Sequence, residues 1–258
     1  MNRLRLLLMV TPALALVGCF VLGPALLLIR VSLYRTAEGR GFYTPGTMTF
    51  ANFLTLLDPS ELRIIGFTAC FGTLVAVLVV VIGFPLALFL RTLHPRWQLI
   101  ALTLIVIPKT AGLLSTFFGL QRWLPRGMFA AVVGEVYLIL PYVVLILYVQ
   151  LASIRPILME AAGGLGATAW QAFRRVTVPL SVPGLIVAFQ LGLMWGLGAF
   201  LGPLFLGSPN EATLSVELHR QAFEYGRWPR ASAEAVCLLA MLTLAVTIGR
   251  RSRVPEGG

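Results

Sequence analysis

The sequence has little charge, few cysteines and few histidines, and each shortage argues against a class of protein. Charged residues make up 12% of the 258 positions, and 58% of the residues are hydrophobic. The mean hydropathy is +0.89, which excludes an ordinary soluble globular chain and indicates a membrane protein. The three cysteines lie inside apolar runs without paired spacing, and the two histidines stand alone. Neither residue type therefore predicts a disulfide or a metal site.

Sequence motifs typical of catalytic or metal-binding sites are also missing. The sequence contains no nucleophile beside a base, no clustered carboxylates and no metal-binding constellation, so no catalytic site is predicted. Internal symmetry with broken, charged helices in matching halves, which is typical of secondary transporters, is absent. A secondary transporter and an intramembrane enzyme are nevertheless kept as alternatives.

The formal net charge of +10 does not indicate nucleic-acid binding. The arginines are spread along the whole chain and form no basic patch interleaved with aromatic residues. Anionic lipid headgroups are the partner that this distribution favours, and no nucleic-acid partner is expected.

Six apolar runs are long enough to cross a bilayer, which takes about 20 residues at about 1.5 Å each. Strands that alternate lipid-facing and lumen-facing residues are absent, so these runs are predicted to be helices. The expected fold is all-α, a single polytopic membrane domain over residues 1–258. The predicted spans are residues 6–29, 64–90, 99–120, 128–151, 184–206 and 231–248.

The first run resembles a cleavable signal around Cys19, but it stays apolar beyond that point, which predicts a retained helix. Six spans place both termini on one side of the membrane. Arginines are almost equally numerous on the two sides, so the positive-inside rule does not decide the orientation.

The fourth and fifth runs are joined by a loop over residues 152–183, rich in small residues and arginine. Its first part is predicted to be a short helix that ends at Gly163, Gly164 and Gly166, because glycine weakens helices and supplies positive φ. A second short helix is predicted from the N-cap Thr168 to Pro179. Two alternatives follow: a helix lying on the membrane interface, or a bend that docks onto a cytosolic protein.

The loop carries a recognisable motif. Its residues are similar to the E-A-A-x3-G-x9-I-x-L-P signature found in permease subunits of binding-protein-dependent ABC importers, with valine at the Ile and Leu positions. By this resemblance the ATPase-coupling residues are Glu160, Ala161, Ala162, Gly166, Val176 and Pro179.

The resemblance implies a mechanism and a set of partners. The loop would form a cytoplasmic coupling helix seated on an ATP-binding subunit, and both termini would be cytoplasmic in a bacterial inner membrane. The chain lacks a G-x-x-x-x-G-K-[ST] phosphate loop, so no cofactor is expected in it. ATP and Mg²⁺ are expected on the partner ATPase subunits. A second permease subunit, expected to be a different chain, and a periplasmic solute-binding protein complete the implied assembly.

The last third of the chain resembles the spermidine/putrescine branch of this family. The shared features are the Leu-Gly-x-Pro turn at residues 206–209 and the pair Trp228–Pro229. This resemblance implies a polyamine-like solute. The connection "QRWLPRG", however, is shorter than is usual in that branch, so iron, thiamine, phosphonate or another small solute are the alternatives.

Two ionisable residues lie inside predicted spans. Lys109 is ten residues into the third and Glu135 seven residues after the start of the fourth, at similar depths from opposite faces. Buried charges in a membrane mark partners or watery pathways. Three alternatives remain: a structural Lys109–Glu135 pair, pathway lining by Glu135, or snorkelling to water at a helix end. The segment 211–230 is predicted to be a charged helix surface. The family resemblance implies that this external side receives the binding protein, and a merely solvated face is the alternative.

Overall fold

A computed structural model describes residues 11–12, 15–37, 42–107, 112–208 and 210–251. The architecture is all-helical, which confirms the predicted fold class. Five helices in the described parts of the chain are long and apolar enough to span a membrane. They are α1 (Ala15–Ser32), α3 (Pro59–Thr92), α6 (Met128–Ser153), α8 (Ala169–Leu197) and α11 (Trp228–Arg251).

Shorter helices fill the connections. They are α2 (Ala51–Thr55), α4 (Pro95–Val106), α5 (Leu113–Trp123), α7 (Ile157–Gly164), α9 (Leu201–Leu206) and α10 (Leu214–His219), the last continued by one wider turn over Arg220–Glu224.

The third predicted span, residues 99–120, is not one helix in the structure. It corresponds to α4 and α5, of 12 and 11 residues. Gly112 precedes α5 with a φ of +39°, a backbone conformation that favours glycine. Each helix alone is shorter than the roughly 20 residues that a straight crossing needs.

The loop and the fifth predicted span are divided differently from the prediction. Helix α8 already begins at Ala169, passes through Pro179 and Pro183, and ends at Leu197. Just before Pro179 the helix widens over Phe173–Thr177, where the N–H of Val178 donates to the carbonyl of Phe173. Such wide turns absorb the irregularity near a proline, so the proline does not end the helix. The predicted second short helix is therefore the first part of a spanning helix.

The described residues form two compact units. The smaller comprises the described parts of Met1–Arg63 and Leu214–Ala240. Here the Asn52 side-chain amide donates to the carbonyls of Ser32 and Tyr34, at 2.7 and 2.8 Å, which satisfies backbone groups at the end of α1. Trp228, at the start of α11, packs edge-on against both Phe42 and Phe223.

The larger unit comprises the described parts of Ile64–Thr213 and Met241–Gly258. Its central helix is α6: 67% of the most apolar stretch of α6 is buried, against 6–33% for the other spanning helices. Many apolar side chains of the spanning helices are exposed, such as Val81, Phe89 and Val149, as expected where lipid is the solvent. Helices α3 and α8 pack closely through Gly72, Gly192 and Gly196, which is the use of small residues typical of membrane helices.

Candidate functional site

The motif residues lie on an exposed bend that follows α6. It consists of α7, a turn and the first part of α8, and we call it the elbow (residues 157–179). Glu160 and Ala161 are exposed on α7, and Ala162 is half-buried. Gly166 at the turn is exposed, as is Pro179 on α8, whereas Val176 is half-buried. The structure thus brings the six motif residues into one segment of the larger unit, and their roles remain predictions.

The turn of the elbow is closed by a specific hydrogen-bond pattern. The N–H of Gly166 donates to the carbonyl of Gly163 (2.9 Å), and the N–H of Ala167 donates to that of Ala162 (3.0 Å). Gly166 has a φ of +82°. These features define a Schellman motif, which ends a helix with a left-handed residue and satisfies its last carbonyls. The predicted glycine bend is present, and its critical position is Gly166.

The second limb of the elbow starts with a capping box. The Thr168 hydroxyl accepts from the N–H of Gln171 (3.3 Å), and the Gln171 side chain accepts from the N–H of Thr168 (2.9 Å). Thr168 is therefore the N-cap, as the sequence predicted. The backbone groups at the end of α7 and at the start of α8 thus find hydrogen-bond partners within the elbow itself. The bend therefore has a defined geometry that its own residues maintain.

The tip of the elbow exposes large apolar side chains next to small ones. Leu165 is 90% exposed and Trp170 is 67% exposed, with Ala161 and Gly163 exposed nearby. Such a combination of apolar projections and small residues suits a protein partner or a membrane interface. Arg174 and Arg175 are exposed on the following turn.

The base of the elbow is anchored to the rest of its unit. The guanidinium of Arg91, at the end of α3, donates to the carbonyl of Ile154 at 2.9 Å. The Thr177 hydroxyl donates to the Met159 sulfur at 3.3 Å and joins the two limbs. A cavity of about 600 Å³ lies beside α7 and is lined by Arg91, Met159, Glu160 and Phe173 among others. The Arg91–Ile154 hydrogen bond therefore links the end of α3 to the end of α6 directly before the elbow.

A buried carboxyl group forms the second candidate site. Glu135 on α6 is 2% exposed. Its Oε2 accepts from the indole N–H of Trp195 at 2.9 Å, and its Oε1 accepts from the backbone N–H of Gly202 at 3.0 Å. Glu135 therefore holds together the end of α8 and the start of α9, on either side of the break at Gly198–Phe200.

The geometry around Glu135 needs a glycine at position 202. A Cβ atom there would lie 2.8 Å from Glu135 Oε1 and 3.0 Å from the carbonyl of Ala131. A mainly apolar cavity of about 350 Å³ borders Glu135 and Trp195. Sequence reasoning singled out Glu135 but missed Trp195 and Gly202, because they lie 60 and 67 residues further along the chain.

Lys109, the predicted partner of Glu135, lies outside the described residues, as does Pro209 of the predicted Leu-Gly-x-Pro turn. The pairing of Lys109 with Glu135 and the pathway role of Glu135 therefore stay predictions. Glu135 itself is well inside α6 and away from its ends.

The segment 211–230 is only partly the charged surface that was expected. Glu224 and Arg227 are exposed, but Gln221 and Ala222 are buried and Glu217 is half-buried. The sequence showed no clustered carboxylates, yet the folded smaller unit brings three glutamates, Glu61, Glu217 and Glu234, close together.

Five helices of spanning length and composition, joined in part by the exposed elbow, indicate a multi-pass membrane protein. A model of the family described as "Binding-protein-dependent transport system inner membrane component" matches residues 80–251. The chain belongs to this family. It is the permease subunit of a binding-protein-dependent ABC importer of the inner membrane, which confirms the resemblance drawn from the elbow motif.

Curated relatives resemble the chain over most of its length. The spermidine/putrescine transport system permease protein PotB of Haemophilus influenzae is 27% identical over 255 residues, with 90% of this chain and 88% of that protein covered. The molybdenum transport system permease protein ModB of Azotobacter vinelandii is 29% identical over 219 residues, with 76% and 96% covered.

A solved structure has the same fold. It is a chain in the crystal structure of a bacterial alginate ABC transporter in complex with an alginate pentasaccharide-bound periplasmic protein. The TM-score is 0.76 at 19% sequence identity, and the match covers 98% of this chain and 96% of that one.

Proposed function

We propose that the elbow of this permease subunit seats in a groove of a cytoplasmic ATP-binding subunit and couples ATP hydrolysis there to solute movement. The observation that carries the proposal is the Schellman bend at Gly166, which presents the exposed residues Glu160 and Ala161 in a defined geometry. A bend that is capped at both helix ends by its own residues can transmit force without first being ordered by its partner.

The alternative role of the elbow, a helix lying in the membrane interface, fits less well. An interfacial helix has one continuous apolar face along its length. In the elbow the most exposed apolar side chains, Leu165 and Trp170, are at the tip of the bend and on either side of it. Such a projecting tip suits a concave protein surface better than a flat membrane.

Orientation and partners follow from this role. The elbow and both termini are cytoplasmic, and the segment 211–230 faces the periplasm and a solute-binding protein. ATP and its Mg²⁺ bind to two ATPase subunits, and the solute path forms between this chain and a second, homologous permease subunit.

The solute that we propose is polyamine-like. The support comes from the spermidine/putrescine permeases, which match about nine-tenths of the chain, and from Glu135, whose carboxyl group borders a cavity and would attract a cationic solute. Iron, thiamine and phosphonate compounds remain alternative solutes, and the molybdenum permease relative adds an oxyanion as a competitor to be tested.

Charge reversal in the elbow tests the coupling role. We expect Glu160→Lys to abolish co-purification of the ATPase subunit and solute uptake, while the permease still reaches the membrane. Glu224→Lys is the matched control for ATPase co-purification, because Glu224 is also exposed but lies outside the elbow, on the segment proposed to face the periplasm. Unchanged ATPase co-purification in Glu160→Lys would count against the coupling role.

Uptake assays test the solute separately. Cells that express the complete importer are expected to accumulate radiolabelled spermidine, and an excess of unlabelled molybdate should not compete. Competition by molybdate but not by putrescine would show that the solute is an oxyanion and leave the coupling role intact.

A further inference from the structure

Three glutamates from distant parts of the sequence meet in the smaller unit. They are Glu61 near the start of α3, Glu217 on α10 and Glu234 on α11, and one carboxylate oxygen of each lies within 4.8 Å of the others. Glu61 is 3% exposed and Glu234 is 0% exposed, whereas the side chain of Glu217 is 12% exposed. We call these residues the carboxylate trio.

One guanidinium group lies among the trio. Arg230 forms an ion pair with Glu61, and its Nε is 3.5 Å from Glu234 Oε1. Arg220 approaches only Glu217, at 3.8 Å, from a side chain that is 29% exposed, so water screens that charge. With all groups ionised, three carboxylates and Arg230 leave two negative charges uncompensated in a buried place, which is costly.

Several oxygens at the trio lack a donor. Glu61 Oε2 and Glu234 Oε2 have no hydrogen-bond partner among the described residues, and Glu234 Oε1 has only the 3.5 Å ion pair with Arg230. The carbonyl oxygen of the buried Gln221 also has none, although its amide donates to Glu217 Oε1 at 2.7 Å. Buried carboxylate oxygens normally have hydrogen-bond partners. Three carboxylates share this buried place with one guanidinium group, so the unpartnered oxygens call for a further positive ligand.

The geometry and the donor atoms select the kind of cation. Only oxygen atoms are offered, which suits a hard ion such as Ca²⁺ or Mg²⁺. Two oxygens on opposite sides of a Ca²⁺ ion, each at about 2.3–2.6 Å, are separated by about 4.6–5.2 Å, so three oxygens within 4.8 Å can share one Ca²⁺. Mg²⁺, with bonds of about 2.0–2.1 Å, would require the side chains to move closer.

We propose that Glu61, Glu217 and Glu234 form a binding site for a divalent cation of the size of Ca²⁺. The ion would neutralise the two excess charges and tie together the starts of α3 and α11 with α10. With three carboxylate ligands the affinity is expected to resemble that of extracellular calcium modules, with Kd of about 10⁻⁴–10⁻³ M. The site does not depend on which solute is transported.

The test uses the full-length chain, purified in detergent and stripped of metals with a chelator. Equilibrium dialysis with ⁴⁵Ca²⁺ should show one saturable ion per chain. Glu217→Gln is the main variant, because Glu217 is the least buried of the three glutamates and its replacement is the least disruptive. It should weaken Ca²⁺ binding by about tenfold or more, since affinity follows the ligand charge count.

Glu224→Gln, an exposed acid of the same segment, should bind Ca²⁺ as the unchanged chain does. At the same Ca²⁺ concentration, Ca²⁺ should also raise the unfolding temperature of the unchanged chain and of Glu224→Gln more than that of Glu217→Gln. The measurements on the unchanged chain keep the test decisive even if Glu217→Gln fails to fold.

Two results would overturn the proposal. One is an absence of saturable ⁴⁵Ca²⁺ binding in the unchanged chain, which would mean that the trio is not a metal site. The other is displacement of Ca²⁺ by putrescine at equal strength in the unchanged chain, which would identify an alkylammonium site instead of a metal site.

Discussion

At the scale of single residues, the elbow depends on a backbone conformation that only one of its glycines adopts. Gly166 has a φ of +82°, whereas Gly163 lies within α7 with an ordinary helical backbone. A Cβ atom would meet nothing within 4 Å at either position. Any difference between alanine substitutions at these sites therefore reports on conformation and not on steric contact.

We expect Gly166→Ala to destabilise the bend and Gly163→Ala to stabilise α7. Alanine in the left-handed region costs about 1–2 kcal/mol, which corresponds to about a 5–30-fold faster hydrogen exchange of the Gly166 and Ala167 amide positions. Alanine in place of a helical glycine is favourable by about 0.5–1 kcal/mol and should slow exchange. Equal exchange rates in the two variants would contradict the assignment of the bend to Gly166.

A second residue-scale prediction concerns the indole that donates to Glu135. Trp195→Phe keeps most of the apolar volume but leaves Glu135 Oε2 without this donor, at a cost of about 1–3 kcal/mol in the free energy of unfolding. Trp123→Phe is the control, because Trp123 is 86% exposed and its change should cost less than about 0.5 kcal/mol. Denaturation by SDS measures both, and equal stability of the two variants would show that the Trp195–Glu135 hydrogen bond contributes little.

At the scale of elements, the packing of α3 against α8 depends on the absence of side chains. A Cβ atom at position 196 would lie 2.7 Å from the Cα of Gly72, and one at position 192 would lie 3.0 Å from the Cα of Ala76. These are backbone atoms, which cannot rotate away. The two helices therefore approach as closely as they do because three glycines line their contact.

Alanine at position 196 is expected to force α3 and α8 apart. Overpacking of this kind costs about 1–3 kcal/mol, which would be seen as a lower SDS concentration at the unfolding midpoint. Gly66→Ala, also on α3, is the matched control, because a Cβ atom there meets nothing within 4 Å. The control should be neutral or more stable by up to about 1 kcal/mol. A Gly196→Ala variant as stable as the control would mean that the helices separate at no cost.

At the scale of the whole molecule, the orientation in the membrane decides which partners each face can meet. Single cysteines placed at Leu165, in the elbow, and at Glu224, in the segment 211–230, mark two exposed positions. Cys19, Cys70 and Cys237 are free thiols and would first be replaced by alanine.

A maleimide that cannot cross membranes is expected to label Glu224→Cys in intact spheroplasts. It should label Leu165→Cys only after the membrane is opened, because the elbow is proposed to face the cytoplasm. Labelling of Leu165→Cys in intact spheroplasts would reverse the orientation and with it the proposed contact to the ATPase.

The sequence by itself determined the solvent, the helical class and the family. These depend on local properties: the length of apolar runs, the absence of strand periodicity and the spacing of Glu160, Ala161, Ala162 and Gly166 within one loop. Thr168 as an N-cap was predictable for the same reason, since capping involves residues three positions apart. The division of the predicted third span into two shorter helices and the passage of α8 through Pro179 were not predictable, because neighbours and a wide turn can compensate for helix-breaking residues.

Only the tertiary structure decided which polar groups meet. Glu135 is held by Trp195 and Gly202, 60 and 67 residues further along the chain, and the carboxylate trio joins three separate segments. These contacts matter for stability because a buried carboxyl group without hydrogen-bond donors or cations is costly. Its partners come from distant segments that only the folded chain brings together. The apolar runs carry no information about which helix faces pack together, so neither cluster follows from periodicity.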